Sequence, residues 1–264
     1  MSDTPEPAQH VKPYVQQTRS TKALHFSINE TQSRMQIEDP HALDLEYTRL
    51  MMGFLLFNAE PPDIAMIGLG GGSLAKFCHR HLKHSRIRVV EINPHVIALR
   101  DEFHVPPDDE RFTVVRGDGA RFVGQRASDC DVLLVDGFDS DGLPSRLCSR
   151  RFYDDCFRML RPEGAMVVNL HYGHARFEIF LNRIRSSFDG SVFVVDGADL
   201  GNSIVFAFKG RNVETGRLGA VRRPRSLDPG AARQLGAAFS QVMAALRELR
   251  RREKAMPVAA RPPA

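Results

Sequence analysis

The sequence predicts an α/β protein: a doubly wound, Rossmann-like sheet with a C-terminal antiparallel β-hairpin, preceded by a small N-terminal β element. Three observations predict it. After Pro61-Pro62, short apolar, β-rich runs alternate with helical stretches, and each run has about the length of a buried parallel strand. The first run opens into Gly68-Leu69-Gly70-Gly71-Gly72-Ser73 directly ahead of a helix. The last two runs are parted only by a short turn containing Gly201 and Asn202, too tight for a crossover helix, so that pair must be antiparallel.

In chain order, residues 1–20 are polar, with prolines at 5, 7 and 13, and are expected to form a loose arm. Residues 21–60 are expected to hold a hairpin, Ala23 to Ile28 and Arg34 to Glu38 around the polar turn NETQS, and then a helix from Leu43 to Phe57. Leu43, Tyr47, Leu50, Met51 and Phe54 mark one face of that helix, which the Pro61-Pro62 pair ends. Residues 61–210 form the predicted Rossmann-like domain. Its strands are 64–69, 86–92, 112–117, 131–137, 165–171, 191–197 and 203–209, and its helices 73–83, 94–103, 119–126, 149–160 and 174–188. The Phe residues at 152, 157, 177, 180 and 188 fall in two of those helices and are expected in the core. Residues 211–264 read as a Pro/Arg/Gly connector, an amphipathic helix over 231–254 and a disordered end.

Composition narrows the function classes. The longest nearly apolar run, Leu50 to Phe57, is eight residues where a membrane-spanning helix needs roughly 20, and MSDTPEPAQH lacks the regions of a signal peptide. A cytoplasmic protein without membrane partners is expected. Cys78, Cys130, Cys148 and Cys156 form no CxxC pair, so reduced, buried thiols are expected rather than a disulfide framework or a zinc ribbon. Residues 211–264 carry 12 Lys+Arg and 4 Asp+Glu, a net of +8 against −4 for the rest. Such a tail reads as an arginine-rich solvated helix, with nucleic-acid contact as the secondary reading. His79, His81 and His84 sit at spacings of two and three, which do not match the H-E-x-x-H zinc arrangement; a solvated basic face and no metal are expected.

The chemistry gathers at the carboxyl ends of the strands. Gly68, Gly70 and Gly72 let a ligand approach the backbone and the helix N-terminus, and Glu91, at the end of the second strand, can accept hydrogen bonds from both ribose hydroxyls. A nucleoside-type ligand is expected. Asp118 and Gly119 follow the third strand; the carboxylate can read an exocyclic adenine amine, cap the next helix, or do both, and the glycine leaves room for the ring. Asp136, Asp139 and Asp141 crowd the end of the fourth strand, where they would attract a cation. His171 and Tyr172 follow the fifth strand and are candidates to line an acceptor pocket.

The runs IGLGGGSLAKF, VVEINPHVI, GDGARFV and DVLLVDGFDSDGLPSRLCSRRFYDDCFRMLRPEGAMVVNL resemble the spermidine synthase (polyamine aminopropyltransferase) family, within the class I S-adenosylmethionine-dependent methyltransferase folds. The resemblance covers residues 64 to about 170. It implies transfer of an aminopropyl group from decarboxylated S-adenosylmethionine to a small amine, with methylthioadenosine as product. It further implies that Glu91 holds the ribose, Asp118 and Gly119 the adenine, that Asp136 is the general base, and that Asp139 and Tyr47 bind the acceptor. A homodimer is the expected assembly. Departures are visible: an ungapped match puts Gly71 where the family has an aspartate that grips the donor's amino group. Glu46-Tyr47-Thr48-Arg49 replaces Tyr-His-Glu, bringing a cation beside the acceptor site, and Asp139-Ser140 replaces Asp-Pro.

Three other readings remain open. A methyltransferase using intact S-adenosylmethionine needs the same glycine loop and ribose acid. A non-catalytic nucleoside- or polyamine-binding homologue fits Gly71 and Arg49. A hydrolase is suggested by the order Ser73, Asp136 or Asp139, His171, but Ala75 stands where a nucleophile elbow needs glycine, and Ser73 is expected to cap its helix.

Overall fold

A computed structural model describes residues 10–27, 30–138, 142–171, 173–197, 201–211, 213 and 221–255. Three antiparallel strands, β1 (Tyr14–Gln17), β2 (Thr21–Ser27) and β3 (Glu30–Gln36), form a small sheet in the order β1-β2-β3. Of the loose arm expected over residues 1–20, residues 1–9 lie outside the described residues, while the polar run YVQQ is instead a strand, with Tyr14 paired to His25 and Gln17 to Lys22. Most of NETQS, expected as a turn, belongs to β3, with Ser33 and Met35 facing inward. Helix α1 (Glu46–Met51) continues as a 3-10 stretch, Met52–Leu56, every residue of which is buried.

The main sheet has seven strands in the order β6-β5-β4-β7-β8-β10-β9. These are β4 (Asp63–Ile67), β5 (Arg86–Glu91), β6 (Phe112–Arg116), β7 (Cys130–Val135), β8 (Leu160–His171), β9 (Val192–Asp196) and β10 (Asn202–Phe208). The first five run parallel, and β10 is antiparallel to both β8 and β9. The hairpin deduced from the short turn at Gly201 is therefore present. The helices are α2 (Ser73–His81), α3 (Pro94–Ile97), α4 (Gly119–Gly124), α5 (Arg150–Met159), α6 (Phe177–Ser187) and α7 (Pro229–Ala255). Helix α3 stops at Ile97 rather than 103, and the chain then coils through His104, which has φ 54°.

The period-2 alternation of the strands splits the core into two layers. Ile64, Met66, Val89, Val132, Leu134, Val167 and Phe206 face α1, α2 and α7, whereas Ala65, Ile67, Leu133, Val135, Met166, Val168 and Val205 face α4, α5 and α6. The basic C-terminal helix is part of the first layer: Leu235, Phe239, Val242 and Leu246, at helical spacing, are buried against it. Cys78, Cys130, Cys148 and Cys156 are buried and unpaired. His79 and His81 are not merely solvated, since they meet Asp109 at 2.9 Å and Asp228 at 2.6 Å. No helix among the described residues is long and apolar enough to cross a membrane.

This topology fixes where a ligand can sit. The chain leaves β4 toward β5 and β6, then returns to β7 on the other side of β4, so the connections at the carboxyl ends of β4 and β7 diverge and open a crevice.

Candidate active site

The crevice is a cavity of about 870 Å³, within the range of small-molecule sites. Gly68, Gly70, Glu91, Asp118, Gly119, Asp136, Tyr47 and His171 all line it, so residues spread over 125 positions of sequence converge on one space. Gly72 does not line it. With φ 70° it is the N-cap of α2, packed so closely that a Cβ would lie 2.4 Å from Val105 Cγ2. Ser73 is thus the first helical residue and not the cap expected for it. Asp139, Asp141 and Tyr172 lie outside the described residues.

The floor is backbone. Gly68 adopts φ 96°, and a Cβ there would stand 2.2 Å from the carbonyl oxygen of Asp136, so only glycine lets the ends of β4 and β7 approach this closely. The amide of Gly68 donates to Val90 O at 2.8 Å, and that of Asp136 to Ile67 O at 2.9 Å, which extends the sheet ladder into the loops. Gly119 is similarly pressed against Ile67, whose Cγ2 would be 2.4 Å from a Cβ.

Glu91 is 7% exposed, and its carboxylate accepts from the amide of Leu69 through Oε2 and from that of Asn93 through Oε1, both at 2.8 Å. Burial pushes its pKa up while these amides pull it back. Each oxygen keeps a further lone pair for a hydroxyl in the cavity. Asp118 caps α4, with Oδ1 accepting from Ala120 N at 2.8 Å and Arg121 N at 3.1 Å, while Oδ2 pairs with the guanidinium of Arg146. The Arg146 side chain is 76% exposed, so solvent screens the pair and a ligand amine can compete for the carboxylate.

Asp136 stands at the end of β7 between two donors. Tyr47 OH gives a hydrogen bond to Oδ2 at 3.1 Å, and Asn169 Nδ2, from near the carboxyl end of β8, gives one to Oδ1 at 2.9 Å. Burial raises the carboxyl pKa above the ordinary range; the two hydrogen bonds act in the opposite direction. The Tyr47 phenol is driven well above its usual value by burial and by the neighbouring carboxylate, so it stays protonated as a donor. Asn169 is 3% exposed and among the described residues its Oδ1 has no partner, leaving a buried acceptor at the cavity wall. Arg49, expected beside the acceptor, is turned away: its guanidinium binds the carbonyls of Leu43 and of Asp44, the latter at 2.9 Å. The cation is spent on the turn before α1, not presented to a substrate.

Sequence reasoning missed Asn169, Asn93, Arg146 and Ser33, all of which line the cavity. Asn169 left one legible sign, an amide inside the apolar run AMVVNLH, where an unpaired polar group would be costly. Asn93 left another, since Asn-Pro ahead of α3 is a cap signal; its Oδ1 accepts from His95 N at 3.0 Å.

The strand order, the reversed last strand, the glycine loop and the acid at the end of β5 define the class I S-adenosylmethionine-dependent methyltransferase type of fold. Human methyltransferase-like protein 13, solved in complex with SAH, superposes with a TM-score of 0.54 at 20% identity, covering 77% of this chain and 93% of that one. Within that class the chain belongs to the spermine/spermidine synthase family, whose domain model matches residues 44–188. A polyamine aminopropyltransferase of Chromobacterium violaceum is 40% identical over 189 residues, 71% of this chain and 72% of the relative. A probable spermidine synthase from Corynebacterium glutamicum has the same fold across 96% of this chain and 95% of its own, with a TM-score of 0.69 at 17% identity.

Proposed function

We propose that this protein is an aminopropyltransferase that moves an aminopropyl group from decarboxylated S-adenosylmethionine to a small amine, leaving methylthioadenosine. The observation that carries this reading is the Asp136 carboxylate, held by Tyr47 and Asn169 in the same cavity as Glu91 and the glycine loop. Membership of the spermine/spermidine synthase family and the 40% identity to a polyamine aminopropyltransferase support it.

The cavity suits such a donor. Its volume accommodates an adenosine with room for an acceptor, Glu91 retains lone pairs for the ribose, and Ile67, Val90, Ile92 and Leu143 offer apolar surface to a purine. Ile92 is 47% exposed beside Glu91, an apolar side chain left open toward the cavity. When bound, the donor supplies a carbon activated by its sulfonium: the C–S bond breaks with its electron pair going to sulfur as a C–N bond forms. Because the electrophile is prepared in advance, the protein has to align the amine and keep it unprotonated. An alkylammonium has a pKa near that of lysine, about 10.4, and is not nucleophilic until it loses a proton. Asp136 is placed to take that proton, since burial makes its carboxylate more basic and its two protein donors leave lone pairs free. Asn169 Oδ1 offers the amine a neutral acceptor beside it.

The expected result with purified protein is release of methylthioadenosine, detected by mass spectrometry, when decarboxylated donor and a panel of aliphatic diamines are supplied. Methyl transfer from intact S-adenosylmethionine without methylthioadenosine release would replace this reading by that of a methyltransferase.

A further inference from the structure

We propose that Ser33, contributed by the small N-terminal sheet, contacts the polar end of the three-carbon chain on the donor's sulfur and sets donor specificity at that end; this rests on the donor reading above. Two contacts of the cavity wall and one step along the chain place it there. Asp136 bonds to Tyr47 OH, Tyr47 OH also lies 3.5 Å from Gln32 O, and Ser33 is the next residue of β3. The wall from Asp136 to the glycine loop is therefore β3, and Thr31, Gln32 and Ser33 all line the cavity. With the adenine toward Asp118 and the ribose on Glu91, the sulfur faces Asp136, and its remaining substituent extends along this wall.

Ser33 is 6% exposed and stands at the cavity wall, where its hydroxyl can meet a ligand. It presses on the loop so closely that a Cβ on Gly71 would stand 2.7 Å from Ser33 Oγ and 2.8 Å from Phe103 Cδ1. Phe103 cannot easily withdraw. It is 1% exposed, and its carbonyl accepts from the buried Lys76 ammonium at 2.7 Å. The loop consequently has no room for a side chain at position 71, and the hydroxyl from β3 occupies the space such a side chain would use. A hydroxyl both accepts from an ammonium and donates to a carboxylate. It carries no charge to repel the latter, so the site is expected to hold intact and decarboxylated donors with affinities within about tenfold of each other, a 1.4 kcal/mol window.

Calorimetry with methylthioadenosine, decarboxylated S-adenosylmethionine and S-adenosylmethionine tests this, because methylthioadenosine lacks the chain in question. Ser33→Ala is expected to weaken the decarboxylated donor about tenfold, the scale of one hydrogen bond to a charged group, and to leave methylthioadenosine unchanged. Ser33→Asp is expected to shift the ratio of the two donors at least tenfold toward the decarboxylated one, since the new acid attracts an ammonium and repels a carboxylate. Equal weakening of all three ligands by Ser33→Ala, or no weakening of the donor, would overturn the assignment while the nucleoside site stands. Failure of the unmutated protein to bind methylthioadenosine would instead sink the donor reading and this inference with it.

Discussion

Asp136→Asn is expected to lower kcat by about 10²–10⁴-fold, the usual range for removal of a general base, while methylthioadenosine affinity changes little. The substitution keeps the shape of the side chain but replaces an anionic acceptor by a neutral amide that cannot take a proton from the incoming ammonium. The pH profile carries a second signature. Burial is the largest influence on Asp136 and raises its pKa, opposed by the hydrogen bonds from Asn169 and Tyr47. The active form is the carboxylate, so the rate falls as pH drops through that raised pKa. The acid limb of kcat/KM should therefore lie above the ordinary aspartate value of about 3.9. Loss of that limb in the Asn variant, with kcat depressed across the range, is the expected outcome. An unchanged rate would remove Asp136 from the chemistry.

The second large effect is expected at Glu91. Glu91→Gln places an NH2 group where a carboxylate oxygen now accepts from Leu69 or Asn93, so a donor faces a donor at 2.8 Å in a buried position. Hydrogen bonds to a charged group contribute about 1.5–3 kcal/mol each, and an unpaired buried amide costs about as much. Affinity for methylthioadenosine should fall by about 100-fold through loss of the ribose contact and displacement of the loop at Leu69. The thermal midpoint should drop by several degrees at the same time. A variant that binds methylthioadenosine as tightly as the parent would show that Glu91 only ties the loop to β5.

The Rossmann-like half was legible because its central strands are nearly continuous apolar runs buried on both faces; all five residues of β4 are buried. The N-terminal sheet was harder to read, for a physical reason. Strand β1 is a polar edge strand whose order comes from its partner, and Ser33 points inward in β3 to meet a glycine loop, not an apolar neighbour, so the hydropathy pattern breaks where the site begins. The first part of β8 was hidden too, since Arg161-Pro162-Glu163-Gly164 reads as a turn, yet it continues the strand past a register shift opposite Cys130–Val132. Within the site, carboxylates at strand ends announced themselves by charge. Asn169 and Ser33, neutral and embedded in strands, became visible only when the fold brought them to the cavity wall.

One cavity is expected to hold an adenosine on Glu91 with its sulfur directed at Asp136. Crystals soaked with methylthioadenosine test it most directly. Density is expected with the ribose hydroxyls on the Glu91 carboxylate, the purine at the carboxyl end of β6 near Asp118, and the sulfur toward Asp136, Tyr47 and Asn169. A nucleoside bound elsewhere, or one in this cavity with its ribose away from Glu91 and its sulfur away from Asp136, would contradict it.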